Sequence, residues 1–189
     1  MAKERRVTDG GTPRTFFSGS PVPLLGHRRK QLTEWALSLT STESRHHVFV
    51  PGCSGGKTVA TFLEHCPKAK VAGVDPSKIA IEKAERMLKE DISEGRCELV
   101  CSPLEELPFR SRAFELAVSA DNIDTFPEGA LKEIYRVLKA QGILLVYALE
   151  GEGKEKSAIL QEIVKAGFSE IRDFSDSVRG YIGIVACKR

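Results

Sequence analysis

The chain has 189 residues, enough for one domain with a full core, and its 41% hydrophobic and 29% charged content is ordinary for a globular protein. A net charge of +2 is too small to imply a nucleic-acid partner, and the basic excess sits in the leader: eight basic and four acidic residues through Arg45, then 20 against 22. No apolar run approaches the roughly 20 residues that span a bilayer, and the start, MAKERRVTDGGTPRTFF, lacks an apolar signal core, so no membrane association and a cytoplasmic location are expected.

Residues 1–22, rich in Gly, Pro, Ser, Thr and Arg, read as a mobile arm; residues 23–189 read as one domain with its core at 46–187. Leu25, Leu32, Trp35, Ala36 and Leu39 recur near helical spacing, which predicts a helix over 24–39 that caps the core, its basic run His27 to Lys30 facing solvent. The chain then alternates: strand 47–51, helix 56–66, strand 70–74, helix 77–91, strand 97–101, strand 114–119, helix 128–139, strand 142–148 and helix 154–166. Gly142 and Gly167 sit where helices are expected to stop. Two closing strands, near 170–174 and 180–187, are joined by DSVRGY, too short for a parallel crossover, so they pair antiparallel. The expected fold is α/β: a Rossmann-like, seven-stranded, mostly parallel sheet with a reversed last strand, helices on both faces and an added N-terminal arm and helix.

Five cysteines, Cys53, Cys66, Cys97, Cys101 and Cys187, are odd in number and form no C-x-x-C pair, so neither a disulfide framework nor a metal site is expected. Adjacent His46 and His47 send at most one side chain toward any site.

The most informative stretch is VFVPGCSGGKTVATFLEHCPKAKVAGVD at 48–75: an apolar strand, a glycine-rich turn, an amphipathic helix and a second strand ending on an acid. Gly52, Gly55 and Gly56 lack a Cβ, so a ligand can approach the main chain, and Asp75 leaves the second strand where it can accept hydrogen bonds from ribose hydroxyls. With AGVDPSKIAIEKA, LEELPFRSRAFELAVS and EIYRVLKAQGILLV following in order, the chain resembles the class I S-adenosylmethionine-dependent methyltransferases, in their small-molecule, type 11-like branch. The resemblance implies S-adenosylmethionine as cofactor. It places Gly52, Cys53, Ser54 and Gly56 around its methionine end and ribose, and Asp75 on the ribose hydroxyls. It also sets Leu104 along the adenine slot through its backbone and Ser119 beneath the sulfonium. Three positions depart from the family pattern: Val50 stands where an acid is usual, Ser54 replaces the middle glycine, and Pro103 replaces an aspartate that reads the adenine amino group. A lost charge-assisted hydrogen bond costs roughly 1.5 to 3 kcal/mol, so a weaker cofactor pocket is expected.

Methyl transfer from a sulfonium needs alignment more than a protein nucleophile. Where the acceptor must lose a proton, Asp121, with Asn122 and Asp124 beside it, is the candidate base, against the alternative that Asp121 and Asn122 merely cap the loop or the next helix. The loop lacks the Asn/Asp-Pro-Pro-aromatic pattern of nucleic-acid amino-methyltransferases, which favours a small-molecule acceptor. Residues 1–40, with Phe16, Phe17 and Trp35 as lid candidates, are expected to roof the cofactor, although plain packing onto the core would also account for those aromatics. Other readings remain. GCSGG fits a serine-hydrolase elbow, but no histidine lies downstream of His65 to serve it. PGCSGGKT ends like a phosphate loop with Lys57 and Thr58, yet Pro51 occupies its first glycine. A methyltransferase-like module without turnover, acting as a binding or partner subunit, is the main alternative.

Overall fold

The computed structural model describes residues 22–40, 46–120, 126–150 and 156–189. The expected arm at 1–22 lies outside them except for Val22.

Seven strands form one sheet, β1 (His47–Pro51), β2 (Lys70–Asp75), β3 (Cys97–Cys101), β4 (Phe114–Ala120), β5 (Leu138–Leu149), β6 (Ser169–Asp176) and β7 (Tyr181–Cys187), in the order β3-β2-β1-β4-β5-β7-β6. All neighbours from β3 to β5 pair parallel, while β7 runs antiparallel to both β5 and β6. The short DSVRGY link does produce an antiparallel hairpin, and the reversed strand is the last one, inserted between β5 and β6.

Strand alternation sends side chains to two separate cores. Val48, Val50, Leu116, Val118, Leu145, Tyr147 and Val185 face α1 (Val22–Ser38) and α2 (Lys57–His65), which bring Leu32, Ala36, Val59 and Phe62. Phe49, Ala117, Leu144, Val146 and Ile184 face the other way, toward α5 (Ala130–Val137) and α6 (Lys156–Lys165), which bring Leu131, Ile134, Ile159 and Ile163. On the first face α1 crosses β7 where Gly183 leaves room. A Cβ there would stand 2.7 Å from Leu39 Cδ1 and 3.1 Å from Trp35.

Two elements differ from the sequence expectation. The helix expected over 77–91 is two, α3 (Lys78–Met87) and α4 (Lys89–Ser93), because Leu88 between them leaves helical geometry (φ −106°, ψ 21°) to bury its side chain beside Gly56. Gly142 does not stop a helix. Helix α5 ends at Val137, and β5 begins at once with Leu138 opposite Phe114; the next pair is Leu116 with Ile143. The surplus residues bulge out. Gln141 takes a φ of 61°, and Gly142 is required because a Cβ would lie 2.7 Å from the Lys139 carbonyl oxygen.

At the opposite edge of the sheet from the strand C-termini, Glu115 accepts from the His46 N–H at 2.7 Å, the His47 N–H at 3.3 Å and Lys139 Nζ at 2.8 Å. Partial burial pushes this carboxyl up, but the Lys139 ammonium and the two N–H groups outweigh it and hold it at about 2, below its ordinary 4.5. A depressed folded value means that the unfolded chain takes up the proton first, so this stabilisation is complete above pH 4.5 and is lost as pH falls toward about 2. Allowing for solvent around Lys139, it is worth on the order of 2 kcal/mol. In acid titrations followed by urea denaturation, Glu115→Gln is expected to be less stable than the wild type at neutral pH and to converge with it near pH 2. An unchanged gap at both ends would show that the pair contributes nothing.

Candidate active site

The chain leaves β1 at Pro51 and turns through Gly52–Gly56 before α2 begins. Gly52 and Gly56 adopt φ of 64° and 84°, where a Cβ is costly. Ser54 sits there too, at 49°, a strain of roughly 1–2 kcal/mol for a residue that is not glycine. Its N–H shows what offsets the strain: it donates to Asp75 Oδ2 at 2.9 Å.

Asp75, at the end of β2, is only 9% exposed, and a carboxylate so enclosed needs hydrogen bonds to answer its charge. Besides the Ser54 N–H, it accepts the Ser77 N–H on Oδ1 at 2.9 Å, and its carbonyl accepts the Ser102 N–H at 3.3 Å. One residue therefore joins the loops that follow β1, β2 and β3. An ionised carboxylate offers about four lone-pair positions, so two remain for hydroxyl donors of a ligand. Ser77 also caps α3, its Oγ accepting the Ala80 N–H at 3.3 Å.

Gly73 makes this arrangement fit. A Cβ there would stand 2.8 Å from Leu99 Cδ2 and 3.1 Å from Cys53 Sγ, so the bare position lets the Cys53 side chain pack against β2. Burial, reinforced by the Asp75 charge, pushes the Cys53 thiol up to about 12. It is a neutral group in the wall of the site, without thiolate reactivity.

The turn and Asp75 form one side of a cavity of about 820 Å³. The other side is built by Leu32 and Thr33 of α1, Ala120 at the end of β4 and Tyr147 of β5. The Tyr147 hydroxyl bonds Thr33 Oγ1 at 3.1 Å with both side chains buried, which fixes α1 against the sheet. Lys30, which also lines the cavity, reaches both Glu64 oxygens with its Nζ at 2.9 Å and ties α1 to α2. The volume suits a cofactor together with a second small molecule.

Of the residues expected at the site, Gly52, Cys53, Ser54 and Asp75 come together on the cavity wall. Gly56 does not line it: a Cβ there would meet Ala84 Cβ at 3.0 Å and Leu88 Cδ1 at 3.2 Å, so its bareness lets α2 start close against α3. Leu104 lies past the β3 end with its side chain buried in the α5-side core. Ser119 is fully buried, opposite Val146 on β5, and the neighbouring Ala120 reaches the cavity instead. Asp121, Asn122, Asp124, Phe16 and Phe17 lie outside the described residues. Trp35 is not a lid; its ring packs 5.6 Å from that of Tyr181. Sequence reasoning missed Thr33 and Tyr147, whose only signal is a polar tip within apolar periodicity. Among the described residues no group of three or more His, Cys, Asp or Glu side chains is placed to hold a metal ion, and no helix is long and apolar enough to cross a membrane.

Residues 50–146, just over half of the chain, match the model of a methyltransferase domain. The protein belongs to that family, the type 11-like S-adenosylmethionine-dependent methyltransferases of class I. The mitochondrial 2-methoxy-6-polyprenyl-1,4-benzoquinol methylase of Caenorhabditis elegans is 32% identical over 95 residues, covering 48% of this chain and 33% of that one. The chain spans between a third and just over half the length of such curated relatives. Two solved structures share the fold. A SAM-dependent methyltransferase from Aquifex aeolicus superposes with a TM-score of 0.73 at 16% identity over 87% of this chain and 98% of that one. Phosphoethanolamine N-methyltransferase 2 of Haemonchus contortus, solved in complex with S-adenosyl-L-methionine, gives 0.70 at 15% identity over 84% and 52%.

The two glycines of the turn are expected to respond differently to a methyl group. Gly56→Ala combines a left-handed φ with contacts to packed atoms of α3 and is expected to lose about 2 kcal/mol in urea denaturation. Gly55→Ala meets only the far end of Lys83, at 3.0 Å, and is expected to lose less than about 1 kcal/mol. Equal losses would contradict this account of the turn.

Proposed function

We propose that the protein transfers a methyl group from S-adenosylmethionine to a small-molecule acceptor. The observation that carries this reading is Asp75: a nearly buried carboxylate, oriented by two backbone N–H groups and bonded to the bare main-chain turn with which it lines one side of the cavity. When bound, the cofactor supplies a sulfonium-activated methyl group for in-line displacement.

The chain's own residues then have four tasks. Asp75 accepts the ribose hydroxyls with its remaining lone pairs. Gly52, Cys53 and Ser54 let the main chain approach the methionine end closely, with Gly56 holding the turn from behind; by motif position Leu104 flanks the adenine through its backbone, and the buried Ser119 underlies the sulfonium from behind the cavity wall. Leu32, Ala120 and the Tyr147 ring exclude water from the reacting groups, where alignment alone can supply roughly 7 to 11 kcal/mol of the acceleration. The neutral Cys53 thiol leaves the acceptor as the nucleophile in this wall. Asp121, which follows the cavity residue Ala120 in the chain, is the proposed base for an acceptor that must lose a proton. The C. elegans relative acts on a benzoquinol, which supports a small acceptor rather than a nucleic acid. A cytoplasmic setting with reduced cysteines completes the reading.

Calorimetry with S-adenosylmethionine and S-adenosylhomocysteine tests it. Micromolar binding is expected, weakened about tenfold or more by Asp75→Ala, equivalent to about 1.4 kcal/mol or more. No binding up to millimolar concentration would contradict the enzyme and favour a binding or partner module.

A further inference from the structure

The loop between β3 and β4 is gripped from the far face of the sheet. Arg136 of α5 pairs with Glu133 through two contacts of 2.7 Å, and the same guanidinium donates to the Phe109 carbonyl at 2.8 Å and the Leu107 carbonyl at 3.0 Å. Glu133 closes the circuit by accepting the Leu107 N–H at 3.0 Å. Both main-chain groups of Leu107 are thus held by one pair of side chains. Phe109 is further wedged between aromatic rings, 5.7 Å from Phe49 and 5.0 Å from Phe114. An ion pair that only stabilised α5 would not need the loop's carbonyls and N–H.

That loop starts at the site. Cys101 stands opposite Asp75 in the β2–β3 register, the Ser102 N–H donates to the Asp75 carbonyl, and Ser102 Oγ donates to the Glu106 carbonyl at 3.1 Å. A nucleoside whose ribose rests on Asp75 has two directions open. One leads into the cavity beside the glycine turn and Ala120, where a sulfonium and an acceptor have room; the other leads away from it toward β3, the neighbour of β2 in the sheet, and a base sent that way meets residues 101–104. Pro103 offers no N–H there, so base contacts fall to the placement of the main chain around it.

We propose that Glu133 and Arg136 are positioning residues for the cofactor: their grip on Leu107 and Phe109 sets the height of the β3–β4 loop against Asp75, and with it the affinity for the adenosyl group. This rests on the cofactor reading above. Neither residue touches the cavity, and both act through the loop. The LPF landmark and the E-x-x-R of the EIYRVLK landmark are then two halves of one clamp.

The test measures S-adenosylhomocysteine affinity by calorimetry in the full chain for wild type, Arg136→Met, Glu133→Gln and Lys139→Met. Lys139→Met breaks the ion pair with Glu115 at the other edge of the sheet and controls for general loosening. The expected result is a Kd raised at least tenfold by Arg136→Met and at least threefold by Glu133→Gln, with Lys139→Met within twofold of wild type, and faster amide hydrogen exchange at Leu107 in the first two alone. If Arg136→Met does not fold, Glu133→Gln decides. Affinity within twofold of wild type in Glu133→Gln or a folded Arg136→Met would overturn the proposal. So would an equal loss in Lys139→Met. Failure of the wild type itself to bind would remove the cofactor reading and this role with it.

Discussion

The arrangement depends on one buried negative charge and the main chain that answers it. Asp75 is enclosed between loops, and its carboxylate is kept by N–H groups from Ser54 and Ser77, one on each oxygen. Backbone donors suit this task because they cannot rotate away, and a carboxylate accepting them is a stronger acceptor pair than neutral groups would make. The bond to Ser54 also offsets the left-handed φ of that residue. Val50, where the family pattern has an acid, is packed into the core, and the acid that organises the turn reaches it from the neighbouring strand.

The two faces of the sheet divide the work. Helices α1 and α2 cover the face whose C-terminal edge opens into the cavity, with the Thr33–Tyr147 bond fixing how far α1 stands off. Helices α5 and α6 cover the other face, and α5 holds the loop at the β3 end through Glu133 and Arg136. Both faces converge on the same edge, where the strand order reverses direction from β1 and ligands of open α/β sheets bind.

Much of this was legible in the sequence, for physical reasons that differ by element. The parallel strands read clearly because residues such as Val48 to Val50 and Leu144 to Val146 are buried on both faces and form continuous apolar runs. The reversed β7 followed from a link too short for a crossover. Asp75 and the glycine turn stood out because a strand ending on an acid beside bare main chain has few structural explanations. The start of β5 was hidden, since LKAQG has helical propensity and only pairing with Phe114 extends it. The break at Leu88 was hidden because the apolar period continues through it. Lys188 is the plainest case. Nothing in its neighbouring sequence marks it, yet its ammonium is buried against the carbonyls of Tyr135 and Leu138, at 2.6 and 2.7 Å, where α5 ends. Long-range polar pairs such as Arg136 with Leu107 carry no local signal at all; the landmarks mark the residues without saying that they meet.

The most direct measurement of the central claim is a crystal structure of the protein grown with S-adenosylhomocysteine. The ribose hydroxyls are expected within hydrogen-bond distance of the two Asp75 oxygens while the Ser54 and Ser77 N–H groups stay bonded to them, with the adenine over the end of β3 and the homocysteine in the cavity beside Gly52. An adenosyl group seated elsewhere, or an Asp75 side chain that abandons both N–H groups to admit it, would contradict the account.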